Sequence, residues 1–504
     1  MFTLQPLMKS PLRNTLLLSI LLSLLSACSA VKPPQQVHLE AADTGLRDCA
    51  HWFNRLDDAV ERSGVGDFGA RRVEGFPYLR VDRFSVAFRA AVPEDARVGE
   101  ALVERMRGLD SIGRGFEIAN LPQAEVAVLD ADRAELSRRL QRCAERLASA
   151  DFAGEPVPQA LLQRLRVDDD YSNTARAIGL YELTRLPFHA GVRAWQDRAR
   201  ETIERTREGE PPQQPLSRYR PPAISTYTRE QVTTLLAEAA DHPLGILEPS
   251  REQFDRLFAT YAPVLEIETG DDYDRFGRPV WGEDGLPWID TDIPTLYRRL
   301  EHTRVGGRTL VQLVYVAWFP ERPREQSFDL LAGRLDGLVW RVTLAADGAP
   351  VLFDSIHPCG CYHQFIPTPR AQPIPAPEGA GEWAFVPADL PDVRPDQRVV
   401  VGLQTRTRYL RDVRTSTDRS GQSYQFADYD ELRSLPLPEG GRRSLFGADG
   451  LVPGTERGER YFFWPMGISS AGAMRQAGSQ ATAFVGRRHF DDPDLIEKRF
   501  RLLD

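Results

Sequence analysis

The sequence predicts an α+β protein in which a helical N-terminal domain is followed by a mainly antiparallel β-sheet domain with short helices. Apolar residues recur at helical spacing up to about residue 205. Beyond about residue 300, continuous apolar runs and turn dipeptides replace that spacing, as is typical of strands and hairpins. A proline-rich segment separates the two patterns. These observations predict a helical domain over residues 41–205, a linker over 206–224 and an α+β domain over 225–504.

The helical spacing is clearest in two stretches of the N-terminal domain. In each stretch, apolar residues return every three or four positions, which places them on one face of a helix. The two faces comprise Leu46, Cys49, Phe53, Leu56 and Val60, and Leu136, Leu140, Cys143 and Leu147. Further helical stretches are predicted over Val98–Leu109, Pro158–Leu165 and Val192–Arg207. The segment Gly75–Leu79 is predicted as a loop.

The predicted linker is defined by its prolines. Pro211, Pro212 and Pro215 lie close together, and Pro221 and Pro222 follow. This composition cannot build a hydrophobic core and is typical of an extended spacer. We therefore expect the boundary between the two domains within residues 206–224.

The C-terminal domain is predicted to begin with two helices, over Arg229–Ala240 and Glu252–Thr260. The continuous apolar run Leu310–Phe319 indicates a strand that is buried on both faces of a sheet. The segments Gly337–Leu344 and Val351–Ile356 flank an Asp-Gly turn signal and so predict a β-hairpin. Three more strands are expected, at Trp383–Val386, Val399–Thr407 and Tyr461–Trp464.

The charge of the chain argues against nucleic acid or an anionic lipid surface as the main partner. The 504 residues carry a formal net charge of -9 at pH 7. Proteins that bind a polyanion need a basic face, because phosphate contacts supply most of the affinity. The overall composition, with 42% hydrophobic and 27% charged residues, is that of an ordinary globular protein.

The first residues of the chain resemble the signal peptide of bacterial lipoproteins. Lys9 and Arg13 precede an apolar stretch, Leu16–Leu25, of the length expected for a signal sequence and too short to span a bilayer. The stretch ends in Leu-Ser-Ala-Cys, which resembles a lipobox with Cys28 as the lipidated residue. The segments predicted from this resemblance are a signal peptide over residues 1–27 and a lipidated tether over residues 28–40.

The resemblance implies a lipid anchor on the new N-terminus. Cys28 would carry diacylglycerol and an amide-linked acyl chain such as palmitate, which together bind a membrane almost permanently. Ser29 follows the cysteine, and in such proteins this favours the outer membrane, with the body expected to face the periplasm. The alternative is an ordinary signal peptide with a chance cysteine.

Four cysteines remain after Cys28. Cys49 and Cys143 each lie on a predicted apolar helix face, so the simplest interpretation is a disulfide that joins two packed helices. Export to an oxidising compartment favours this bond. The alternative is two buried free thiols.

The segment after the predicted hairpin contains four potential metal ligands. His357, Cys359, Cys361 and His363 alternate along the chain, and imidazole and thiolate both suit zinc or copper. A flat strand would spread the four side chains over about 20 Å, so a single ion requires the segment to bend. His302 and Asp354 are weaker candidate partners. The alternative interpretation is that the two cysteines of the cluster form a local disulfide, or that one of them cross-links elsewhere, while the histidines cap turns.

These observations leave two hypotheses for function. No complete catalytic constellation is evident, which favours a binding or assembly component of the cell envelope, held to the membrane by its lipid and working with an envelope protein partner. The second hypothesis is a metal-dependent enzyme or metal-handling protein built around the Cys/His cluster.

Overall fold

The computed structural model of the protein describes residues 34–129, 132–154 and 157–503. It confirms the α+β class, with most helices in the first half of the chain and most strands in the second. The α-helices of these residues are α1 (Pro34–Leu39), α2 (Thr44–Ser63), α3 (Arg83–Val86), α4 (Ala96–Asn120), α5 (Gln123–Val128), α6 (Arg133–Asp151), α7 (Gln159–Leu162), α8 (Asn173–Ile178), α9 (Tyr181–Arg207), α10 (Arg229–Glu238), α11 (Arg251–Tyr261) and α12 (Arg460–Phe463). Short 3₁₀ turns lie at Ala239–Asp241, Asp272–Asp274, Tyr429–Arg433 and Trp464–Met466.

The strands of the described residues form two larger sheets and several hairpins. They are β1 (Arg71–Val73), β2 (Phe76–Val81), β3 (Leu216–Arg220), β4 (Val264–Glu268), β5 (Arg278–Trp281), β6 (Pro287–Asp290), β7 (Thr295–Val305), β8 (Arg308–Arg322), β9 (Gly333–Leu344), β10 (Pro350–Ile356), β11 (Gln364–Pro367), β12 (Ala371–Pro373), β13 (Arg398–Leu403), β14 (Leu410–Ser416), β15 (Gln422–Ser423), β16 (Gln425–Asp428), β17 (Leu435–Pro436), β18 (Arg442–Arg443) and β19 (Phe500–Leu502).

The N-terminal region packs α2, α4 and α6 around the β1–β2 hairpin. The Asp43 side chain caps α2 by accepting hydrogen bonds from two backbone amides, and Gly64 ends this helix with a φ of 63°. The predicted face from Cys49 to Val60 is buried here. The loop expected at residues 75–79 is instead mostly strand β2, because its apolar side chains fill the core between the helices.

A disulfide joins α2 to α6, as the two apolar helix faces predict. The bond links Cys49 and Cys143, whose Cα atoms are 5.1 Å apart and whose separation in sequence is 94 residues. Both residues belong to the buried cluster of this region. Cys28, in contrast, lies outside the described residues, as does the whole predicted signal peptide.

A buried ion-pair network holds the hairpin to α4. On β2, Arg80 Nη2 lies 2.7 Å from Glu117 Oε1, and its Nε lies 3.2 Å from Asp110 Oδ1. Arg114 binds the second oxygen of Asp110 from within the same helix. Burial alone would raise the pKa of Glu117, but Arg80 and Arg114 outweigh that effect and lower it to about 2. The network therefore remains charged inside the fold.

The C-terminal region is built on two sheets that share one core. The six-stranded sheet has the order β11-β10-β9-β8-β7-β16 and is antiparallel except where β16 pairs with β7. The five-stranded sheet has the order β14-β13-β4-β3-β15. Apolar residues of both sheets and of α10 and α11 form one cluster, and a second cluster covers the other face of the six-stranded sheet. Burial on both faces explains the continuous apolar run in β8, as predicted.

Three expectations about local structure differ from what is observed. The tether predicted to reach residue 40 ends earlier, because α1 starts at Pro34 and packs on α2. The predicted linker contains the end of α9 and strand β3, which pairs with β4 inside the five-stranded sheet. The strands expected at residues 383–386 and 461–464 are irregular backbone and helical turns respectively. For β3, the partner that decides the local structure lies about 50 residues away in the chain.

Helix α9 bridges the two regions and covers the site described below. Its N-terminal end lies against the turn Trp464–Met466, and its C-terminal half packs on β14. Elsewhere the halves are joined by Arg433, which binds the Asp67 carboxylate through two nitrogens at 2.7 and 2.8 Å. None of the helices in the described ranges is both long and apolar enough to cross a bilayer.

Candidate functional site

A cavity of about 490 Å³ lies beneath α9. The loop between β10 and β11 forms its floor, and the segments 459–468 and 481–488 form its sides. Six aromatic side chains line it: Phe188, Trp195, Tyr362, Tyr409, Phe463 and Phe484. On α9, the Trp195 ring centroid is 5.2 Å from that of Tyr362 and 6.0 Å from that of Tyr409. The enclosure is therefore predominantly apolar and aromatic.

The floor of the cavity is a tight turn over residues 357–363. The backbone amide of Gly360 donates to the His357 carbonyl oxygen at 2.8 Å, and the His357 amide donates to the Cys361 carbonyl oxygen at 3.0 Å. Gly360 has a φ of 94°, and a Cβ there would lie 2.4 Å from the carbonyl oxygen of Ala481. Tyr362 has a φ of 64°, a rare conformation for a bulky residue. The segment thus turns sharply, and its side chains do not alternate as they would on a strand.

The turn does not bring the predicted metal ligands together. His357 Nδ1 lies 3.1 Å from Asp336 Oδ1, and His363 Nε2 lies 2.9 Å from Asp354 Oδ2. Asp354 also binds the Arg341 guanidinium through both of its oxygens. In the part of the chain that the structure describes, no group of three or more His, Cys, Asp or Glu side chains could hold a metal ion. This differs from the expected zinc or copper site, because each histidine is already paired with a buried carboxylate.

The weaker candidate His302 is also engaged elsewhere. Its Nε2 accepts a hydrogen bond from the Leu247 amide at 3.1 Å, and its ring packs on Phe84. Burial lowers the pKa of His302 to about 3, so the ring is neutral. These contacts belong to the packing between the two regions of the protein.

The two cysteines of the turn are thiols. The expected alternative, a bond between Cys359 and Cys361, is not formed. The backbone amide of Cys361 points at the sulfur of Cys359, at 3.5 Å. A hydrogen bond with Cys359, together with burial, raises the pKa of the Cys361 thiol well above its usual range. Cys361 lines the cavity as a neutral group and lacks the thiolate character of an activated nucleophile.

Glu459 provides the most unusual group of the cavity. Its residue is only 4% exposed, and its carboxyl group has no hydrogen bond or ion pair to any described residue. Burial raises its pKa to about 7, although Arg457 and Arg322 at longer range oppose this. Buried carboxyl groups normally have a partner, because desolvation without one is unfavourable. Glu459 is therefore a buried polar group that has no partner among the described residues.

His363 offers the cavity a second acceptor. Its Nδ1 is buried and has no hydrogen-bond partner in the described chain. Burial lowers the pKa of His363 to about 3, so the ring is neutral. The carboxylate of Asp354 faces Nε2 and assigns the proton to that nitrogen, which leaves a lone pair on Nδ1. Among the described residues, the wall of the cavity thus contains two polar groups without a hydrogen-bond partner, the carboxyl group of Glu459 and the buried Nδ1 of His363.

The sequence pointed to the turn but missed most of the cavity. Cys361 and His363 were singled out there, and both line it. Glu459 was not, because it belongs to no motif and its burial depends on distant packing. Trp195 lies 167 positions before Tyr362 in the chain, and no local pattern relates the two. One usable signal was the unusual density of aromatic residues between Tyr461 and Trp464.

Comparisons with protein-family models, with curated protein sequences and with solved structures find no match.

Proposed function

We propose that the protein is a lipid-anchored protein of the bacterial cell envelope that binds a small, largely apolar ligand carrying a hydrogen-bond donor. The observation that carries the ligand proposal is Glu459, a buried carboxyl group that has no partner within the described part of the chain and lies in the wall of an aromatic cavity. The sequence alone predicts a binding role, and the cavity favours small apolar molecules with a hydrogen-bond donor as the ligands.

The dimensions of the cavity suit a small molecule. Its volume of about 490 Å³ falls within the range of typical ligand sites, which are mostly apolar with a few polar groups that fix orientation. The aromatic rings would contact the body of the ligand through dispersion and edge-to-face contacts. Glu459 and the Nδ1 of His363 would accept hydrogen bonds from its hydroxyl or amine groups. The apolar walls supply affinity, and the two acceptors select the ligand.

The anchor part of the proposal depends on Cys28. The lipobox-like sequence that ends at this residue supports it. The disulfide between Cys49 and Cys143 is consistent with an oxidising compartment, where such bonds persist. We place the protein at the outer membrane, facing the periplasm, because Ser29 follows the cysteine.

Metabolic labelling tests the anchor. Cells that express the full chain are fed alkyne-tagged palmitate, and the purified protein is examined for label. We expect label on the wild type and on a Cys361→Ser control, and none on Cys28→Ala. Unlabelled wild-type protein would contradict lipidation.

Filling the cavity tests the ligand site. Gly191 lines the cavity on the exposed side of α9, and a Cβ there would meet no atom within 4 Å, so Gly191→Phe places a ring at the cavity without a clash in the backbone. The probe is N-phenyl-1-naphthylamine, an aromatic molecule with one N–H donor, titrated by fluorescence into the full-length protein in detergent. We expect saturable binding that weakens at least tenfold in Gly191→Phe.

The matched control is Gly115→Phe. Gly115 is also an exposed helical glycine with open space around it, but it lies on α4, outside the cavity. This variant should bind the probe like the wild type. Equal affinities in all three proteins would show that the probe does not use the cavity, and would overturn the proposal.

A further inference from the structure

Six large apolar side chains are exposed on two segments that border the cavity. These side chains, here called the apolar patch, are Leu180, Leu183, Leu186, Tyr461, Phe462 and Trp464. Each of them is between 41% and 66% exposed. Single exposed apolar residues are ordinary, but large side chains gathered on one surface mark a site of interaction.

Two segments contribute to the apolar patch, and they lie side by side. A Cβ built on Gly179 would lie 2.6 Å from the Cβ of Pro465, so the start of α9 rests directly on the turn after α12. Further along, the ring centroids of Phe188 and Phe463 are 5.1 Å apart. These contacts fix the two segments against each other, and the residues of the apolar patch are exposed on both of them.

The backbone also holds the apolar patch in its exposed arrangement. Leu180, the residue before α9, has a φ of 49° and a ψ of 52°, the left-handed conformation that leucine rarely adopts. Its side chain is 62% exposed, so no burial in the described protein offsets the strain. Strained residues persist where the surrounding structure fixes them, and they concentrate at functional surfaces.

We propose that the apolar patch docks into the interfacial region of a lipid bilayer. Its mixture of leucine with Trp464, Tyr461 and Phe462 resembles the side chains that settle at the boundary between lipid headgroups and acyl chains. Arg460 adds a charged group beside these apolar side chains, as is common at a membrane interface. Its guanidinium contacts the ring and the hydroxyl of Tyr461.

The short distance in sequence between Cys28 and α1 supports a bilayer as the partner of the apolar patch. With Cys28 lipidated, as the proposed function has it, only residues 28–33 separate the anchor from α1, and six residues span at most about 20 Å. The body would therefore remain close to the bilayer surface at all times. Even if the apolar patch binds lipid weakly, this proximity increases the fraction of protein in which the patch is bound, because the effective concentration of the patch at the membrane is high.

Docking would bring the cavity against the membrane. Phe188 and Phe463 line the cavity, and their neighbours Leu186 and Phe462 belong to the apolar patch. An amphiphile dissolved in the bilayer would then reach the cavity without crossing water. This inference deepens the proposed function, and its test uses different residues from those that test the ligand site.

Quenching by brominated lipid tests the docking. The full-length protein is reconstituted into vesicles of phosphatidylethanolamine and phosphatidylglycerol, with or without bromine on the acyl chains. The emission of Trp464 is obtained as the difference between wild type and Trp464→Phe. We expect bromine to reduce it at least twofold. The control is Trp288, which is 49% exposed but lies on β6 outside the patch, and whose emission, obtained in the same way, should stay unchanged.

A second pair of variants tests the surface itself. Leu183→Glu places a charge in the apolar patch and should abolish the quenching of Trp464, whereas Ile112→Glu, at an exposed apolar residue of α4, should not. Trp464 emission that is insensitive to bromine would overturn the proposal. If that emission instead changed with protein concentration in solution, the patch would bind a second copy of the chain and the bilayer assignment would be wrong.

Discussion

A Cβ atom on Gly472 would lie 1.9 Å from Oε1 of Glu459, so only glycine at residue 472 leaves room for the buried carboxyl group. Gly472 also has a φ of 84°, in the left-handed region that glycine favours. The backbone of this segment is thus shaped around the carboxyl group of the cavity.

Gly472→Ala should therefore be more destabilising than an ordinary glycine replacement in the left-handed region. We expect a loss of about 2 kcal/mol or more in urea unfolding, from the overlap with Glu459 added to the backbone strain. Gly441→Ala is the matched control, because Gly441 has the same φ of 84° and no atom within 4 Å of its added Cβ. Equal losses in the two variants would contradict the close packing of Gly472 on Glu459.

Glu459 should make the stability of the protein fall as the pH rises. Burial raises its pKa in the folded state to about 7, compared with an ordinary value of 4.5, so the folded protein binds the proton more tightly than the unfolded chain. The contribution of Glu459 to the free energy of unfolding is fully present below pH 4.5. It is lost as the pH rises through about 7, and the loss amounts to about 3 kcal/mol.

Glu459→Gln should remove the loss of stability that the ionisation of Glu459 causes as the pH rises. The contributions of other titrating groups to the pH profile of unfolding should remain. Glu439→Gln, at an exposed glutamate, provides the control and should retain the wild-type profile. If the Glu459→Gln and wild-type profiles ran parallel between pH 4.5 and pH 8, Glu459 would not be the buried, unpaired group described above.

The network around Arg80 predicts a large effect of Glu117→Gln. The substitution keeps the size of the side chain but leaves the buried Arg80 and Arg114 with one carboxylate fewer, and we expect a loss of about 3 kcal/mol at pH 7. Because the pKa of Glu117 is lowered to about 2, this advantage of the wild type is present above pH 4.5 and declines as the pH falls towards 2.

The control for that network lies on the same helix. Glu104 pairs with Arg107 at the surface, and Glu104→Gln should change the stability by less than about 0.5 kcal/mol. Chemical denaturation of both variants makes the comparison. A small effect at both positions would mean that the buried network contributes little.

The cysteines should separate into two classes on alkylation. In denaturant without reductant, iodoacetamide should modify Cys359 and Cys361, whereas Cys49 and Cys143 should react only after reduction. Peptide mass spectrometry identifies the modified residues. Recovery of a peptide with Cys359 bonded to Cys361 would contradict the thiol state of the turn and would restore the local disulfide that the sequence left open.

Local patterns of the sequence predicted those parts of the fold that nearby residues determine. The helix faces of Cys49 and Cys143 follow from spacing, and the hairpin around Gly348 follows from its turn residues. Strand β3, within the proline-rich segment, could not be predicted, because Tyr219 is buried by distant parts of the chain: it pairs with Leu265 in β4, and its ring packs on Phe276. Such pairing joins residues far apart in the chain.

The candidate site was predictable only in part for the same reason. The Cys/His turn drew attention through its residue types, but its conformation depends on Gly360 fitting against Ala481. Whether a histidine binds metal or a carboxylate depends on Asp336 and Asp354, which the fold brings to it. The cavity itself arises from α9 crossing a sheet region more than 150 residues later in the chain.

The central claim is that Glu459 accepts a hydrogen bond from the ligand of the cavity, and one comparison tests it directly. N-phenyl-1-naphthylamine and 1-benzylnaphthalene differ only in that the N–H group of the first is a methylene group in the second. The affinity of each compound is measured at pH 8 for the wild type and for Glu459→Leu. The affinity of 1-benzylnaphthalene is measured by its displacement of N-phenyl-1-naphthylamine. We predict that the N–H strengthens binding to the wild type about tenfold, as expected for a hydrogen bond to a charged group, and has no effect in Glu459→Leu. An equal preference for the N–H compound in both proteins would contradict the account.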